Sequence, residues 1–205
     1  MEIDIRDTGR NNTVEIASDV TRTGPMRIEI TGNNNHLAIG PRTKLAAGLI
    51  EIRNDRSRID IGAACVISGQ LRLRADDTAL AIGDETTMMG AHITLHERGR
   101  ITLGRDCMLS GNIVMDVSDM HSILDAASGA RINPPADIEI GDHVWIAQGV
   151  QILKGAVIGS DCVIGARALV TGTLPAGSLA AGAPARVMRE GVTWDRRRLP
   201  WPGSG

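Results

Sequence analysis

The residue best suited to chemistry in this chain is a histidine inside a polar stretch, DVSDMHSILDAASGARINPPAD. His121 is preceded by Asp119 and followed by Asp125 in this stretch. Imidazole is the usual general base near neutral pH, and a nearby carboxylate can fix its tautomer. Aspartate is also common in turns, and a lone loop histidine is often a solvated surface residue. We predict that His121 is a general base. Sequence alone does not separate the two carboxylates, and Asp119 is the one we assign to the candidate site.

A tryptophan is the second candidate. Phe and Tyr are absent, so Trp145, Trp194 and Trp201 are the only large aromatic residues. Trp145 is the sixth residue of IGDHVW, a position that points outward in the repeat described below. An outward indole either packs beneath the loop or at a subunit contact, or it lines an acceptor or cofactor site beside His121. Both explanations stay open at this stage.

The other histidines are weaker candidates, and no metal site is expected. They are His36, His92, His96 and His143. Histidines on neighbouring coils can bind zinc, but the regular ligand spacings of a short zinc motif are missing. A catalytic metal is therefore not part of the predicted site.

The three cysteines indicate packing rather than chemistry. Cys65, Cys107 and Cys162 occupy equivalent positions in IGAACV, LGRDCM and IGSDCV. Each stands where the repeat places a small inward residue, so we predict core packing instead of a nucleophilic thiol or a disulfide. An odd number of cysteines suits a reducing cytoplasm.

A period of six residues dominates the second half of the chain. From Ile140 to Pro175 it reads IGDHVW, IAQGVQ, ILKGAV, IGSDCV, IGARAL and VTGTLP. The first residue of each hexad is a branched aliphatic and the fifth is small or apolar. This period matches neither a helix face nor a single amphipathic strand. It is typical of short strands wound into a parallel β-solenoid.

The period extends upstream as a recurring apolar-x-apolar-Gly phrase. The phrase ends at Gly40, Gly62, Gly83, Gly104 and Gly141, and a further glycine follows at Gly159. The successive intervals are 22, 21, 21, 37 and 18 residues. Three hexads make one coil, so the interval of 37 holds a coil plus an insertion at about 116–137. Repeat proteins often place such insertions on the binding face. Ile16 marks a weaker, earlier coil.

The domain organisation follows from these repeats. We predict one β-helix domain over residues 1–190 and a partly disordered C-terminal tail over 191–205. The segment PARVMRE is expected to cap the last coil, whose apolar surface and strand edges need cover. The start, MEIDIRDTGR, shows no secretory signal, and no apolar run is long enough to cross a membrane. A net charge of −2 argues against nucleic acid as partner. We expect a cytoplasmic protein.

The loop histidine and the hexads together resemble a known family. The stretch IEIGDHVWIAQGVQILKGAVIG, followed by VIGARALVTGTLPAGSLAAGAPARVMRE, resembles hexapeptide-repeat acyltransferases of the galactoside and maltose O-acetyltransferase type. The segments SDMHSI, RINP and GVTWDR resemble more closely the bacterial surface-polysaccharide O-acetyltransferases, including the polysialic acid capsule type. The resemblance covers roughly Asp116 to Glu190, and the first hundred residues match only as generic coils.

This resemblance implies a fold, an assembly and a set of site residues. It implies a left-handed parallel β-helix and a homotrimer with acetyl-CoA in a groove between subunits. His121 falls at the catalytic histidine of the family, and Trp145 falls at a tryptophan near the thioester. The positions implied to contact CoA are Trp145, Ala147, Ala166, Thr171 and Arg189.

Two departures from the family pattern concern the CoA groove. Many relatives carry Lys after the threonine where this chain has Gly172, and Gly is usual at the position of Ala147. A phosphate contact is therefore either missing or supplied by Lys154, Arg167 or Arg186.

The expected activity is acetyl-CoA-dependent O-acetylation of a sugar hydroxyl on a surface polysaccharide or its precursor. Transfer would be direct, with His121 as general base and no acyl-enzyme. Three alternatives remain open: an N-acetyltransferase on an amino sugar or nucleotide sugar, a non-catalytic solenoid scaffold, and a metal-dependent hydratase of the carbonic anhydrase type. The sequence does not name the acceptor or the acyl chain length.

Overall fold

The computed structural model describes residues 3–201, which form short strands joined by turns and contain no helix. Each coil contributes one strand to each of three parallel ladders, which we call the first, second and third faces. The first face has eight strands, one per coil. They are β2 (Thr13–Ile16), β5 (His36–Ile39), β7 (Arg58–Ile61), β9 (Ala79–Ile82), β12 (Arg100–Leu103), β15 (Ile138–Ile140), β18 (Val157–Ile158) and β21 (Thr173–Leu174).

The other two faces belong to one sheet of 15 strands, because β6 (Lys44–Ile52) and β8 (Val66–Leu73) cross the corner between them. The second face also contains β3 (Thr21–Arg22), β10 (Thr87–Met88), β13 (Met108–Leu109), β16 (Trp145–Ile146), β19 (Val163–Ile164) and β22 (Ser178–Ala181). The third face also contains β1 (Asp4–Asp7), β4 (Met26–Ile30), β11 (Ala91–Leu95), β14 (Ile113–Asp116), β17 (Gln151–Leu153) and β20 (Leu169–Val170).

The core consists of columns of inward side chains that stack from coil to coil. On the first face, Leu80 pairs with Ile101 and Ile101 pairs with Ile138, and all three are at most 1% exposed. Such a column accepts aliphatic side chains of similar size at every level, which explains a core without Phe or Tyr. The hexad repeat of the sequence is thus the spacing of these inward positions.

The cysteines lie in the core, as predicted. Cys65, Cys107 and Cys162 are each 0% exposed and form no disulfide. Burial raises the pKa of all three thiols, that of Cys107 to about 11. A thiol with such a pKa is protonated near neutral pH and is a poor nucleophile.

The recurring glycines stack at the corner between the first and second faces. A Cβ on Gly104 would lie 2.5 Å from the carbonyl carbon of Gly141 and 2.4 Å from a carboxylate oxygen of Asp142. No side chain fits in that space, because the neighbouring coil passes too close. The glycine intervals in the sequence therefore measure the length of each coil.

The insertion and the cap lie where the sequence predicts them. Residues 117–137 separate β14 from β15, and β15 resumes the ladder in register. At the other end β23 (Arg186–Glu190) pairs antiparallel with β22 and covers the last coil. The predicted all-β parallel β-helix with one inserted loop and a short C-terminal cap is confirmed. Of the tail predicted over 191–205, residues 202–205 lie outside the described residues, and the predicted disorder stays a prediction.

Replacement of a corner glycine tests this stacking. We expect Gly104→Ala to lower the free energy of unfolding by roughly 1–3 kcal/mol, because the added methyl group must displace backbone. Gly172→Ala is the matched control, since a Cβ there meets nothing within 4 Å, and it should change stability by less than about 0.5 kcal/mol. Urea denaturation at one fixed protein concentration measures both variants. Equal stability of the two variants would contradict the stacking argument.

Candidate active site

The inserted loop is tied to the solenoid by an arginine–glutamate pair. Glu97 follows β11 at the corner between the third and first faces. Arg131 Nη1 and Nη2 donate to its two carboxylate oxygens at 2.7 and 2.6 Å. The Ser118 hydroxyl donates to the same carboxylate at 2.5 Å. The Arg131 guanidinium and this hydroxyl lower the pKa of Glu97 to about 2, so the carboxylate stays ionised near neutral pH. A two-pronged charge-assisted pair fixes orientation as well as distance.

A lysine ties the other side of the loop to the next coil. Lys154 Nζ lies 2.7 Å from Asp119 Oδ2 and donates to the carbonyl oxygen of Pro134 at 2.9 Å. Two hydrogen bonds lower the pKa of the Asp119 carboxyl: the larger effect comes from the Lys154 ammonium and the smaller from the Asn133 amide. The predicted residues Asp119 and Lys154 are thus brought together. Because Lys154 also contacts Pro134, it holds both the outgoing and the returning segment of the loop.

Asn133 is the buried centre of the loop. Its Nδ2 donates to Asp119 Oδ2 and to the carbonyl oxygen of His121, both at 2.8 Å, and its Oδ1 accepts from Ile123 N–H at 2.7 Å. The His121 N–H donates to the Asp119 carbonyl at 2.7 Å, while Met120 takes a left-handed φ of 63°. These bonds make a tight turn that presents His121 at the surface.

The His121 imidazole is exposed and makes no hydrogen bond to any of residues 3–201. The Asp119 carboxylate contacts Lys154 and Asn133 instead of the ring. Asp125 stabilises a turn, because its Oδ1 accepts hydrogen bonds from the N–H and the hydroxyl of Ser128, both at 2.7 Å. Within one chain the backbone of the loop, and not a carboxylate, sets the position of the histidine.

The remaining histidines have other partners or lie elsewhere. His96 Nδ1 lies 2.5 Å from Asp116 Oδ2 beneath the loop, and burial raises the pKa of that aspartate. His36 Nε2 lies 3.8 Å from Asp60, and His92 is exposed on the third face. Among the described residues, no three His, Cys, Asp or Glu side chains group as metal ligands.

Trp145 lies on the second face, outside the stacked core, and is half-buried. Its ring centroid lies 6.2 Å from that of Trp194, with the planes tilted by 48°. Its indole N–H has no acceptor within the described part of the chain. The loop of His121 leaves the solenoid at the corner between the third and first faces, opposite the second face. A single chain therefore presents the two predicted catalytic side chains on different sides.

The positions predicted to contact CoA lie on two corners and on the cap. Ala147 and the exposed Ala166 occupy the corner between the second and third faces on consecutive coils. Thr171 is exposed at the corner between the third and first faces, one coil after Leu153. Arg189 is exposed in β23, opposite Leu179.

Of the three candidates for a phosphate contact, two are engaged. Lys154 pairs with Asp119, and Arg186 Nη1 donates to the carbonyl oxygen of Ala185 at 3.0 Å. Arg167 is exposed at the corner beside Ala166, and its guanidinium has no partner among residues 3–201.

Several residues of this region were not predicted from the sequence. Glu97 and Asn133 hold the loop, and Trp194 packs beside Trp145. For Asn133 the available signal was an amide side chain directly before Pro134 in a long polar loop. For Trp194 it was the scarcity of aromatic residues in the chain.

The chain is similar to known proteins in sequence. The family profile described as bacterial transferase hexapeptide (six repeats) matches residues 137–172. Polysialic acid O-acetyltransferase of Neisseria meningitidis is 32% identical over 147 residues, which are 72% of this chain and 68% of that protein. Polysialic acid O-acetyltransferase of Escherichia coli O1:K1 / APEC is 30% identical over 167 residues, which are 82% of this chain and only 40% of that protein.

The structural similarity extends over nearly the whole chain. A crystal structure of a polysialic acid O-acetyltransferase superimposes with a TM-score of 0.88 at 32% identity, covering 95% of this chain and 92% of that one. The match therefore includes the first hundred residues, which the sequence resembled only as generic coils. The family profile, the identity to the Neisseria enzyme and the shared β-solenoid fold lead to one conclusion: the chain belongs to the bacterial hexapeptide-repeat transferases and is an acetyltransferase of that family.

Proposed function

We propose that this protein transfers an acetyl group from acetyl-CoA to a sugar hydroxyl of a surface polysaccharide or its precursor. The observation that carries the proposal is the surface-presented imidazole of His121, which is held by the loop backbone and has no hydrogen-bond partner among residues 3–201. The similarity to two polysialic acid O-acetyltransferases supports the substrate class. We place the reaction in the cytoplasm, which the three free, buried thiols support.

The described residues fit an elongated, anionic donor. The small side chains of Ala147 and Ala166 leave space at the corner between the second and third faces. Space is also open at Gly172, where a Cβ would meet nothing within 4 Å. The guanidinium groups of Arg167 and Arg189 are exposed and unpaired among the described residues, so they are available to phosphates. Acetyl-CoA bound there would supply an activated thioester carbonyl.

His121 and Trp145 divide the chemistry between them. The His121 imidazole takes the proton from the sugar hydroxyl as its oxygen attacks the carbonyl carbon. The tetrahedral intermediate then collapses, the thioester C–S bond breaks, and the CoA sulfur leaves with the proton that the His121 imidazolium returns. The Trp145 indole N–H, which lacks an acceptor among residues 3–201, donates to the carbonyl oxygen as negative charge develops on it. The buried thiols have raised pKa values, which favours direct transfer over a cysteine acyl-enzyme.

A complete site in this arrangement needs a second copy of the chain. His121 and Trp145 lie on opposite sides of one solenoid, and Ala166 and Thr171 lie at the two corners that bound the third face. The loop also exposes more than half of each of four large apolar side chains, a patch that favours contact with another subunit. They are Met120, Ile123, Leu124 and Ile132. We therefore propose a homotrimer in which the loop of one subunit faces Trp145 of the next.

Removal of the proposed base tests the activity. We expect His121→Ala to lower kcat by about 10²–10⁴-fold, because proton transfer in the transition state is lost. Thiol release from acetyl-CoA with oligosialic acid as acceptor measures the rate, and alkaline hydrolysis of the product separates an ester from an amide. His92→Ala, at an exposed histidine on the third face, is the control and should keep wild-type kcat. An active His121→Ala enzyme, or an amide product, would contradict the proposal.

Mixed trimers test the shared site. His121→Ala and Trp145→Ala should each be inactive alone, but equal co-expression should restore about a quarter of wild-type activity, since a quarter of the interfaces then pair an intact His121 with an intact Trp145. If both residues act within one chain, no mixture recovers activity. The control is equal co-expression of two differently tagged copies of His121→Ala, which gives the residual activity of trimers without any intact His121.

A further inference from the structure

A C-terminal strap, defined as residues 192–197, lies along the corner between the first and second faces. The Thr193 hydroxyl donates to the Asp161 carboxylate at 3.0 Å. One coil earlier, the Trp194 indole N–H donates to the carbonyl oxygen of His143 at 2.8 Å. The strap therefore runs back from later coils of the solenoid toward earlier ones.

Trp194 fills the space between this corner and Trp145. It is 9% exposed, and its ring stacks on the His143 imidazole with centroids 4.4 Å apart and planes 9° apart. Its centroid lies 6.2 Å from that of Trp145, within the range of favourable aromatic pairs. Along the ladder the neighbours of Trp145 are Met108 and Val163, so within residues 3–201 only Trp194 packs an aromatic ring against it.

Arg196 fastens the strap to two earlier coils. Its Nε donates to Asp106 Oδ1 at 2.7 Å and its Nη1 to the Thr87 hydroxyl at 3.0 Å. Its Nη2 donates to the carbonyl oxygens of Cys107 and Glu85 at 3.1 and 3.3 Å. The guanidinium carbon also lies 5.5 Å from the Trp194 ring centroid, a cation–π distance.

The next residue provides a contrast within the same segment. Arg197 pairs with Asp195 at 2.7 Å, a contact inside the strap, and its side chain is 78% exposed. Two adjacent arginines thus differ in one respect: Arg196 holds the strap on the solenoid, and Arg197 does not.

We propose that Trp194 is a positioning residue, which holds the Trp145 indole in the orientation that its N–H needs to meet the acetyl carbonyl oxygen. This inference rests on the role proposed for Trp145. The ladder fixes only the backbone of Trp145, because an outward side chain has no core around it. Trp194 and its anchor Arg196 supply the missing wall. The strap belongs to the site although its residues touch neither substrate.

Single-tryptophan variants test the contact directly. In a Trp201→Phe background, both Trp194→Phe and Trp194→Ala leave Trp145 as the sole tryptophan. Compared with Trp194→Phe, Trp194→Ala should shift the Trp145 emission to the red and increase its quenching by acrylamide. Relative to the protein with Trp201→Phe alone, adding Trp194→Ala should lower kcat about tenfold and change the KM for acetyl-CoA less than about threefold. Adding Trp194→Phe should keep kcat within about threefold of the same reference.

The two arginines supply the matched control. Arg196→Ala should reproduce the loss of kcat seen in Trp194→Ala, and Arg197→Ala should keep the wild-type kcat and KM. Size-exclusion chromatography and far-ultraviolet circular dichroism identify any variant that fails to fold. If Trp194→Ala fails to fold, the kcat values of Arg196→Ala and Arg197→Ala test the positioning role instead.

The outcomes separate this inference from the proposed function. If the unmodified protein releases no CoA with any glycan, the proposed function fails, while the fluorescence comparison still tests the contact. If the unmodified protein is active and Trp194→Ala or Arg196→Ala keeps its kcat, the positioning role is overturned. Identical Trp145 emission in Trp194→Phe and Trp194→Ala would overturn it as well.

Discussion

Coil-on-coil hydrogen bonding of the backbone is the constraint on which this structure depends. Each strand pairs in register with its equivalent one coil later, so residues of similar size must stack in the same column. The column of Leu80, Ile101 and Ile138 shows the result inside, and Gly104 against Gly141 shows it at the corner. Because the spacing between coils is fixed, the interior columns take aliphatic side chains of similar size, and the stacked glycine positions between the first and second faces have no room for a side chain.

The two proposed catalytic side chains depend on two elements that do not follow this ladder. The loop presents His121, and the strap packs against Trp145. Neither has regular backbone partners along its length, so side chains at the corners hold both. Glu97 does this for the loop, and Asp106 accepts from Arg196 of the strap. The regular part of the chain supplies rigidity, and charged corner residues transfer that rigidity to the site.

The sequence predicted what repeats and failed to predict what does not. The hexads and the glycine intervals located the coils, the inward cysteines and the insertion before Ile138. They could not predict that Arg131 reaches Glu97, because a contact across 34 residues depends on how the aperiodic loop folds back. The same reason hid Trp194, which meets His143 from 51 positions away. Expectations for Trp145 allowed for a loop or a subunit contact, but not for a strap from its own chain.

The insertion leaves the ladder undisturbed on both sides. Ile101 pairs with Ile138 across the loop just as Leu80 pairs with Ile101 across an ordinary coil, so the register does not record that extra residues intervene. The stacking of the solenoid is therefore independent of the sequence of the loop. A loop of another length or composition can replace 117–137 at little cost to the stack, provided that it meets Glu97 and Lys154. The loop that carries His121 can therefore vary while the framework stays the same.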